Sequence, residues 1–285
     1  MTKEPSRNIL FLGFGYVAQY FCKSCNSSDF KITSSINYSK EKYFKTPTKI
    51  NTINFSKIDE AILDNYDNFV ISIPPFYQKR SDIIIDKFHH YFLNRKSPYK
   101  LIYLCATSVY GDHGGKKVQE NSELKSESIN GLARIECEKK YLQLQKNKLA
   151  NIIILRLAGI YGEKRNAISA IKNKEITSVT PSTKIISRIH VADISKIIRN
   201  IILSPNIKNE IFNLCDNDPC PTKEVQDYIC EELLKIEKLP IENQVRKNTN
   251  LSFSLDNKIV DNSKIKKILN YEFLFPSYKK GLEQV

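Results

Sequence analysis

Residues 13–18 read Gly-Phe-Gly-Tyr-Val-Ala and follow a short apolar run, Asn8 to Leu12. Glycines at that spacing suit a backbone that must wrap a diphosphate. Gly13 permits the tight turn, Gly15 lets the chain approach a pyrophosphate, and small Ala18 lets the following helix pack on the strand. The helix start carries N–H groups toward phosphate, with Phe14, Tyr16 and Val17 completing the bend. A strand before the turn and a helix after it make a dinucleotide the expected ligand. At the tip of the second predicted strand such folds place an acid for a ribose 2′-hydroxyl or a base for a 2′-phosphate. Here the tip reads Ser34-Ser35-Ile36-Asn37-Tyr38-Ser39-Lys40, with Lys42 close behind and no acid. Small hydroxyls, Asn37 and the lysines suit a phosphate, so NADP is expected ahead of NAD. Cys22-Lys23-Ser24-Cys25 spells a Cys-x-x-Cys pair, and Cys215 and Cys220 could add two thiolates. The first pair falls late in a helix and the second is irregularly spaced, so no metal is expected. His89 and His90 are adjacent, point to different faces of a predicted helix, and cannot form an i, i+4 metal pair.

The frame that must hold these groups is an ordinary globular one. A chain of 285 residues can bury a core without staples. Its 41% apolar and 26% charged residues exclude disordered, collagen-like and coiled-coil classes. The formal charge of +13 is spread thinly, with short clusters at Lys139-Lys140 and Lys264 to Lys267, so no nucleic-acid partner is expected. Seven irregularly spaced cysteines fit a reducing cytoplasm. Lys3 and Arg7 ahead of Ile9 to Leu12 imitate a signal peptide, but glycines interrupt the apolar stretch and it reads as a buried strand. No apolar run approaches the roughly 18 residues of a membrane span, so a soluble protein is expected.

Strands are predicted at Asn8 to Leu12, Lys31 to Ile36, Ile50 to Phe55, Asn68 to Ile73, Lys100 to Cys105, Asn151 to Leu157 and Glu210 to Leu214. Helices are predicted from the glycine turn to Cys25 and at Lys57 to Asp64, Ser81 to Asn94 with Ser81 as N-cap, Leu132 to Gln145, Val191 to Leu203, and Thr222 to Ile236. Strands alternating with helices imply an α/β fold, a Rossmann-type doubly wound parallel sheet covered on both faces. Ile73-Pro74-Pro75 closes the fourth strand at the carboxyl edge, where such sheets bind ligands. The expected division is a dinucleotide-binding domain over 1–162, completed by segments near 185–215, and a smaller substrate-binding lobe mainly over 163–285.

Six segments in order carry a resemblance: residues 13–18, Ile73-Pro74-Pro75, Thr107 to Gly115, Leu155 to Gly162, Arg188 to Asp193, and Phe212-Asn213-Leu214. Together they resemble the short-chain dehydrogenase/reductase superfamily, and within it the extended and atypical NAD-dependent epimerase/dehydratase proteins. The resemblance runs from about Asn8 to Gly281. It implies NAD or NADP on a Rossmann sheet, with Ile160 beside the cofactor, and oxidoreductase chemistry on a nucleotide-sugar or related small molecule. It also implies a catalytic Ser or Thr, Tyr and Lys, whose positions here hold Ala106, Asn130 and Arg134. Asn130 has no proton to give near neutral pH. Arg134 can still hold the cofactor ribose or phosphate in place of the lysine.

Substitute acid or base chemistry then falls to Tyr110 and His113, with Thr107, Ser108 and Arg165 as substrate contacts. Arg165 lies where relatives often hold substrate phosphates. An enzyme is the expected reading, and a non-catalytic dinucleotide-binding redox sensor or scaffold is the alternative. The expected partner is a small-molecule substrate. Extended relatives often pair as homodimers through long helices, and the helix from Leu132 is the element that would do so.

Overall fold

The structure is a computed structural model that describes residues 7–25, 29–37, 50–172, 184–235 and 256–284. In chain order the first half comprises β1 (Arg7–Leu12), α1 (Tyr16–Ser24), β2 (Phe30–Ile36), β3 (Asn51–Asn54), α2 (Glu60–Leu63), β4 (Asn68–Ile71), α3 (Ile83–Asn94), β5 (Tyr99–Ala106), β6 (Lys117–Val118) and α4 (Ile129–Gln143). There follow β7 (Ala150–Leu157), β8 (Gly159–Tyr161), α5 (Ala167–Lys172), β9 (Ile185–Ile186), β10 (Arg188–His190), α6 (Val191–Leu203) and β11 (Ile211–Leu214). The last are β12 (Cys220–Pro221), α7 (Thr222–Tyr228), β13 (Ile259–Val260), α8 (Ser263–Leu269) and α9 (Tyr278–Leu282).

Seven strands form one sheet in the order β11-β7-β5-β4-β1-β2-β3. The pairs β1–β2, β2–β3, β1–β4 and β4–β5 are parallel. From β1 the chain winds first to β2 and β3 and then, on the other side, to β4 and β5. The reversal point of such a sheet is where ligands bind, and here it lies at the end of β1. The Rossmann-type α/β architecture expected from the sequence is the one observed.

The chain divides into two compact units. The first comprises residues 1–105, 133–155 and 195–211, and the second residues 106–132, 156–194 and 212–285. In the first unit Ile9 to Leu12 are completely buried, which is why an apolar run too short for a membrane forms an interior strand. Phe11 meets Phe21 of α1 at 5.0 Å between ring centroids, and Phe69 of β4 meets Phe92 of α3 edge-on at 5.1 Å. In the second unit Tyr161, Ile168, Cys220, Val225, Ile229, Tyr278 and Leu282 form a core of their own. Gly281 is required there, because a Cβ would stand 2.4 Å from the Tyr161 hydroxyl.

Several predicted boundaries move. Helix α3 is capped by Asp82, whose Oδ1 accepts from the N–H groups of Ile84 and Ile85 at 2.8 and 3.2 Å, and not by Ser81. A carboxylate reaching two amides is the stronger cap, and Ser81 instead pairs its backbone with Phe76. The predicted helix at Lys57 to Asp64 shrinks to Glu60–Leu63, capped by Asp59 and preceded by a 3₁₀ turn. Helix α4 starts at Ile129 rather than Leu132. Beyond Tyr228, α7 widens into π-helical turns over Ile229–Leu234, and Ile236 lies outside the described residues. Among the described residues no helix is long and apolar enough to cross a membrane.

Candidate functional site

The glycine turn closes the carboxyl end of β1 in the first unit. Gly13 adopts φ +112°, a conformation L side chains rarely take, and a Cβ there would stand 2.8 Å from both Ile73 Cγ1 and Ser72 Oγ. Glycine is therefore dictated by fold and space together. Three hydroxyls fasten the turn: the Gly13 N–H donates to Ser35 Oγ at 2.8 Å, while Ser72 Oγ and Ser34 Oγ donate to the Gly13 carbonyl at 2.8 and 3.3 Å. Ser72 and Ile73 also donate their backbone N–H groups to the Leu12 carbonyl.

Gly15 differs from Gly13. It is exposed, sits at the N-cap of α1 in extended conformation, and has nothing among the described residues within 4 Å of the place a Cβ would occupy. Among the described residues no side chain caps α1, and its first turn holds no acid. Buried Phe14, Val17 and Ala18 anchor the bend from beneath, and Tyr16 is half-buried. An uncapped helix start beneath open space, with the turn itself rigidly tied, fits the diphosphate of a dinucleotide. Gly13, Gly15 and the α1 backbone would hold it.

The second-strand tip requires a correction. Ser34 and Ser35, read as suited to a 2′-phosphate, are completely buried or nearly so and turn inward to the glycine turn. Their hydroxyls are committed to Gly13 and cannot contact a phosphate outside the turn. Asn37 is exposed at the end of β2, where an acid would select a free ribose, while Tyr38, Ser39, Lys40 and Lys42 lie outside the described residues.

After β4 the chain runs through half-buried Ile73, exposed Pro74 and buried Pro75 into a closed loop. The Phe76 N–H donates to the Ser81 carbonyl at 2.7 Å and the Ser81 N–H returns to Phe76 at 3.4 Å. Between them Tyr77–Lys79 form a 3₁₀ turn ending in left-handed Arg80. Tyr77 leads to Arg134 of α4. The guanidinium donates to the Leu104 carbonyl at 3.2 Å and to the Tyr77 hydroxyl at 3.4 Å, and lies 6.0 Å from the centre of the Tyr77 ring. Arg134 is thus fixed at the carboxyl end of β5. Sequence reasoning placed Arg134 on the helix after β5 but gave no role to Tyr77 or Ser72 and misread Ser35, whose pairings join residues far apart in sequence.

In the second unit the polar loop after β5 has a structural logic. Asp112 Oδ1 accepts from the N–H groups of Gly114 and Asn257 at 3.0 and 2.9 Å, and these bonds hold its carboxyl below the usual range. The His113 and Gly115 N–H groups donate to the Asn257 carbonyl, and Gly114 and Gly115 take positive φ. The Asp-His-Gly-Gly segment is therefore a clamp on residues near 257. The His113 ring is half-buried, with Nε2 3.3 Å from the Glu123 carbonyl.

Tyr110 has zero exposure. Its hydroxyl donates to Asn213 Oδ1 at 2.6 Å and accepts from Arg156 Nη1 at 2.8 Å. Burial pushes the phenol up to about 12 despite Arg156. A phenol so enclosed packs and bridges, so the acid or base role expected of Tyr110 gives way to a structural one. Thr107 and Ser108 are half-buried on a 3₁₀ turn over Thr107–Tyr110. Gly131, in the first turn of α4, passes so close that a Cβ would stand 2.7 Å from the Ser108 carbonyl and 2.0 Å from Ser126 Oγ. Arg165 is exposed in a tight turn closed by two backbone hydrogen bonds with Gly162, and Ile160 is half-buried in β8.

All seven cysteines are free thiols. Burial pushes Cys22 up to about 12 and Cys25 up to about 11, so both remain protonated.

No protein-family model matches the sequence, and neither does any functionally curated protein. Solved structures do match. A functionally unknown conserved protein from Silicibacter pomeroyi DSS is 26% identical with a TM-score of 0.82, covering 98% of this chain and 97% of that one. A dTDP-glucose 4,6-dehydratase from Bacillus anthracis, in complex with NAD, is 18% identical with a TM-score of 0.77 over 98% and 95% of the two chains. A UDP-glucuronic acid 4-epimerase from Bacillus cereus, also in complex with NAD, is 17% identical with a TM-score of 0.75 over 97% and 96%. The chain thus shares its Rossmann-type fold with a dehydratase and an epimerase that were each solved with NAD. Within that fold this chain keeps the glycine turn and carries Ala106, Asn130 and Arg134 where the resemblance calls for a hydroxyl, a tyrosine and a lysine.

Proposed function

We propose that the chain binds a nicotinamide dinucleotide on the glycine turn of its first unit and uses it in an oxidoreductase, epimerase or dehydratase type of reaction on a nucleotide-sugar or related small molecule. The observation that carries the reading is the contrast between Gly13 and Gly15: one glycine is demanded by the chain's own packing, and the other, among the described residues, faces open space above an uncapped helix start. The fold shared with a dehydratase and an epimerase that bind NAD supports it. When bound, the dinucleotide supplies or accepts hydride. Gly13, Gly15 and the α1 start hold its diphosphate, and Arg134 holds a ribose or phosphate oxygen near the end of β5. Asn37 in place of an acid favours NADP over NAD. In the second unit Thr107, Ser108, His113 and Arg165 are the groups proposed for the substrate.

A second reading, a non-catalytic dinucleotide-binding sensor or scaffold, is favoured by one observation. The phenol of Tyr110 is enclosed, and position 130 has none to replace it.

Thermal unfolding of the purified chain with NAD⁺, NADH, NADP⁺ and NADPH tests the binding. A ligand at a hundredfold excess over its Kd stabilises by about 2.7 kcal/mol, and NADP(H) is expected to protect more than NAD(H). Equal protection removes the case for a 2′-phosphate, and no protection by any of the four removes the reading. Cofactor absorbance with UDP-glucose, UDP-glucuronic acid, dTDP-glucose and simple carbonyls then separates enzyme from sensor.

A further inference from the structure

We propose that Tyr77 is the proton-transferring residue of this protein, taking the place of the phenol that position 130 lacks. The inference rests on the dinucleotide reading above and goes beyond it by assigning the missing acid to a different element of the fold.

Three observations support this. The first is chemical: the phenol and cation expected one turn apart on α4 are replaced by Asn130 and Arg134, yet a phenol meets that cation from elsewhere. Arg134 Nη2 donates to the Tyr77 hydroxyl at 3.4 Å while Nη1 is pinned to the Leu104 carbonyl, so the charge stands at the phenol oxygen. Negative charge developing on that oxygen as its proton leaves is met by a guanidinium already in place, which is the economical form of electrostatic catalysis.

The second is position. Tyr77 follows β4 by a few residues, and the start of that connection, Ser72 and Ile73, touches the glycine turn itself. Phenol, cation and turn all belong to the first unit. The loop is held rather than loose, with Phe76 and Ser81 bonded to each other in both directions and Arg80 in the left-handed region.

The third is contrast with three buried phenols. Tyr110 is enclosed by Asn213 and Arg156, Tyr141 donates to Asp82, and Tyr103 is completely buried, whereas Tyr77 is only half-buried.

In the reducing direction the step balances simply. A bound reduced dinucleotide would supply the hydride that forms the new C–H bond at the substrate carbonyl carbon and would leave oxidised. The Tyr77 O–H bond breaks as its proton passes to the carbonyl oxygen, giving an alcohol, and the phenolate left beside Arg134 is reprotonated from water. The reverse direction uses the same groups.

The test places 3-fluorotyrosine at position 77 of the full chain and follows its fluorine resonance while NAD⁺ or NADP⁺ is added, with binding measured in parallel by calorimetry. The resonance is expected to move with saturation. Y77F, which keeps the ring, is expected to retain the melting temperature and to hold the dinucleotide within about threefold, while NADPH oxidation by 9,10-phenanthrenequinone or a 4-keto nucleotide-sugar falls by about 10²- to 10⁴-fold. R134K is expected to keep more of that rate than R134M. A fluorine signal that stays still at calorimetric saturation overturns Tyr77 and leaves the dinucleotide reading standing. So does Y77F at more than a tenth of the wild-type rate, or a wild-type chain that oxidises NADPH with none of these carbonyls. Failure of both dinucleotides to bind takes away the parent reading instead.

Discussion

The backbone N–H of Gly13 donates to the hydroxyl of Ser35 across 2.8 Å, so the end of β1 and the tip of β2 form one hydrogen-bonded piece. Ser35→Ala leaves that N–H without its acceptor in a partly buried setting. A loss of about 1–3 kcal/mol is expected from the orphaned donor. Denaturant midpoints check this, and dinucleotide affinity should fall with them because the same amide shapes the diphosphate turn. An unchanged midpoint would mean the serine is incidental.

The two glycines of the turn should separate stability from binding. Gly13→Ala puts a Cβ 2.8 Å from Ile73 and Ser72 at φ +112°, so a stability loss of about 2 kcal/mol or more is expected. Gly15→Ala meets nothing within 4 Å among the described residues and should leave the melting temperature within a degree or two. It nevertheless places a methyl where a diphosphate would approach, and a loss of dinucleotide affinity of about tenfold or more is expected. Calorimetric titration of the Gly15 variant is the decisive measurement, since full affinity there would put the ligand elsewhere.

Tyr110→Phe removes one hydrogen bond each from Asn213 and Arg156 in a fully buried place. The expected cost is about 1–3 kcal/mol, with turnover per folded molecule held within about twofold. A variant that folds normally and loses activity by orders of magnitude would return the proton to Tyr110.

What the sequence made legible is what depends on local order. The run Ile9 to Leu12, the glycines at 13 and 15 and the alternation of strands with helices led to the right sheet, because each is a signal carried by neighbouring residues. The pairings that shape the site are of another kind. Ser35 meets Gly13 from 22 residues away, Arg134 meets Tyr77 from 57 away, and Arg156 meets Tyr110 from 46 away. Nothing in the serines at 34 and 35 says whether they face a ligand or their own turn, since that depends on which side of the sheet end the hydroxyls take. The loop Asp112 to Gly115 can be read two ways for a related reason. Polar residues and glycines also suit a structural clamp, and its partner Asn257 is far along the chain. Asp82 was within reach of sequence reasoning, because an acid directly before an apolar run is as good an N-cap signal as the serine beside it.

Asp216 makes stability depend on pH in a way one substitution can isolate. Its carboxyl is buried, Oδ1 accepts from the Asp218 N–H at 3.1 Å, and Oδ2 is enclosed with no hydrogen-bond partner among the described residues. Burial pushes it from the usual 3.8 up to about 8, reinforced by neighbouring Asp218 and Asp193 and only partly opposed by the Asp218 amide and Arg188. The folded chain therefore holds a proton that the unfolded chain releases near pH 4. Stability from this group is fully present below about pH 4 and is lost as pH rises through about 8. His190 works in the other direction. Burial pushes its imidazole from 6.5 down to about 4, so its contribution is present above about pH 6.5 and is lost as pH falls through about 4. Asp216→Asn keeps the Oδ1 acceptor and cannot ionise. Relative to wild type the variant should gain stability between pH 5 and 8.5, by up to several kcal/mol, while the acid-side loss set by His190 stays. Urea midpoints of both proteins at pH 5, 7 and 8.5 decide the matter, and parallel curves would show that Asp216 is already ionised in the folded chain.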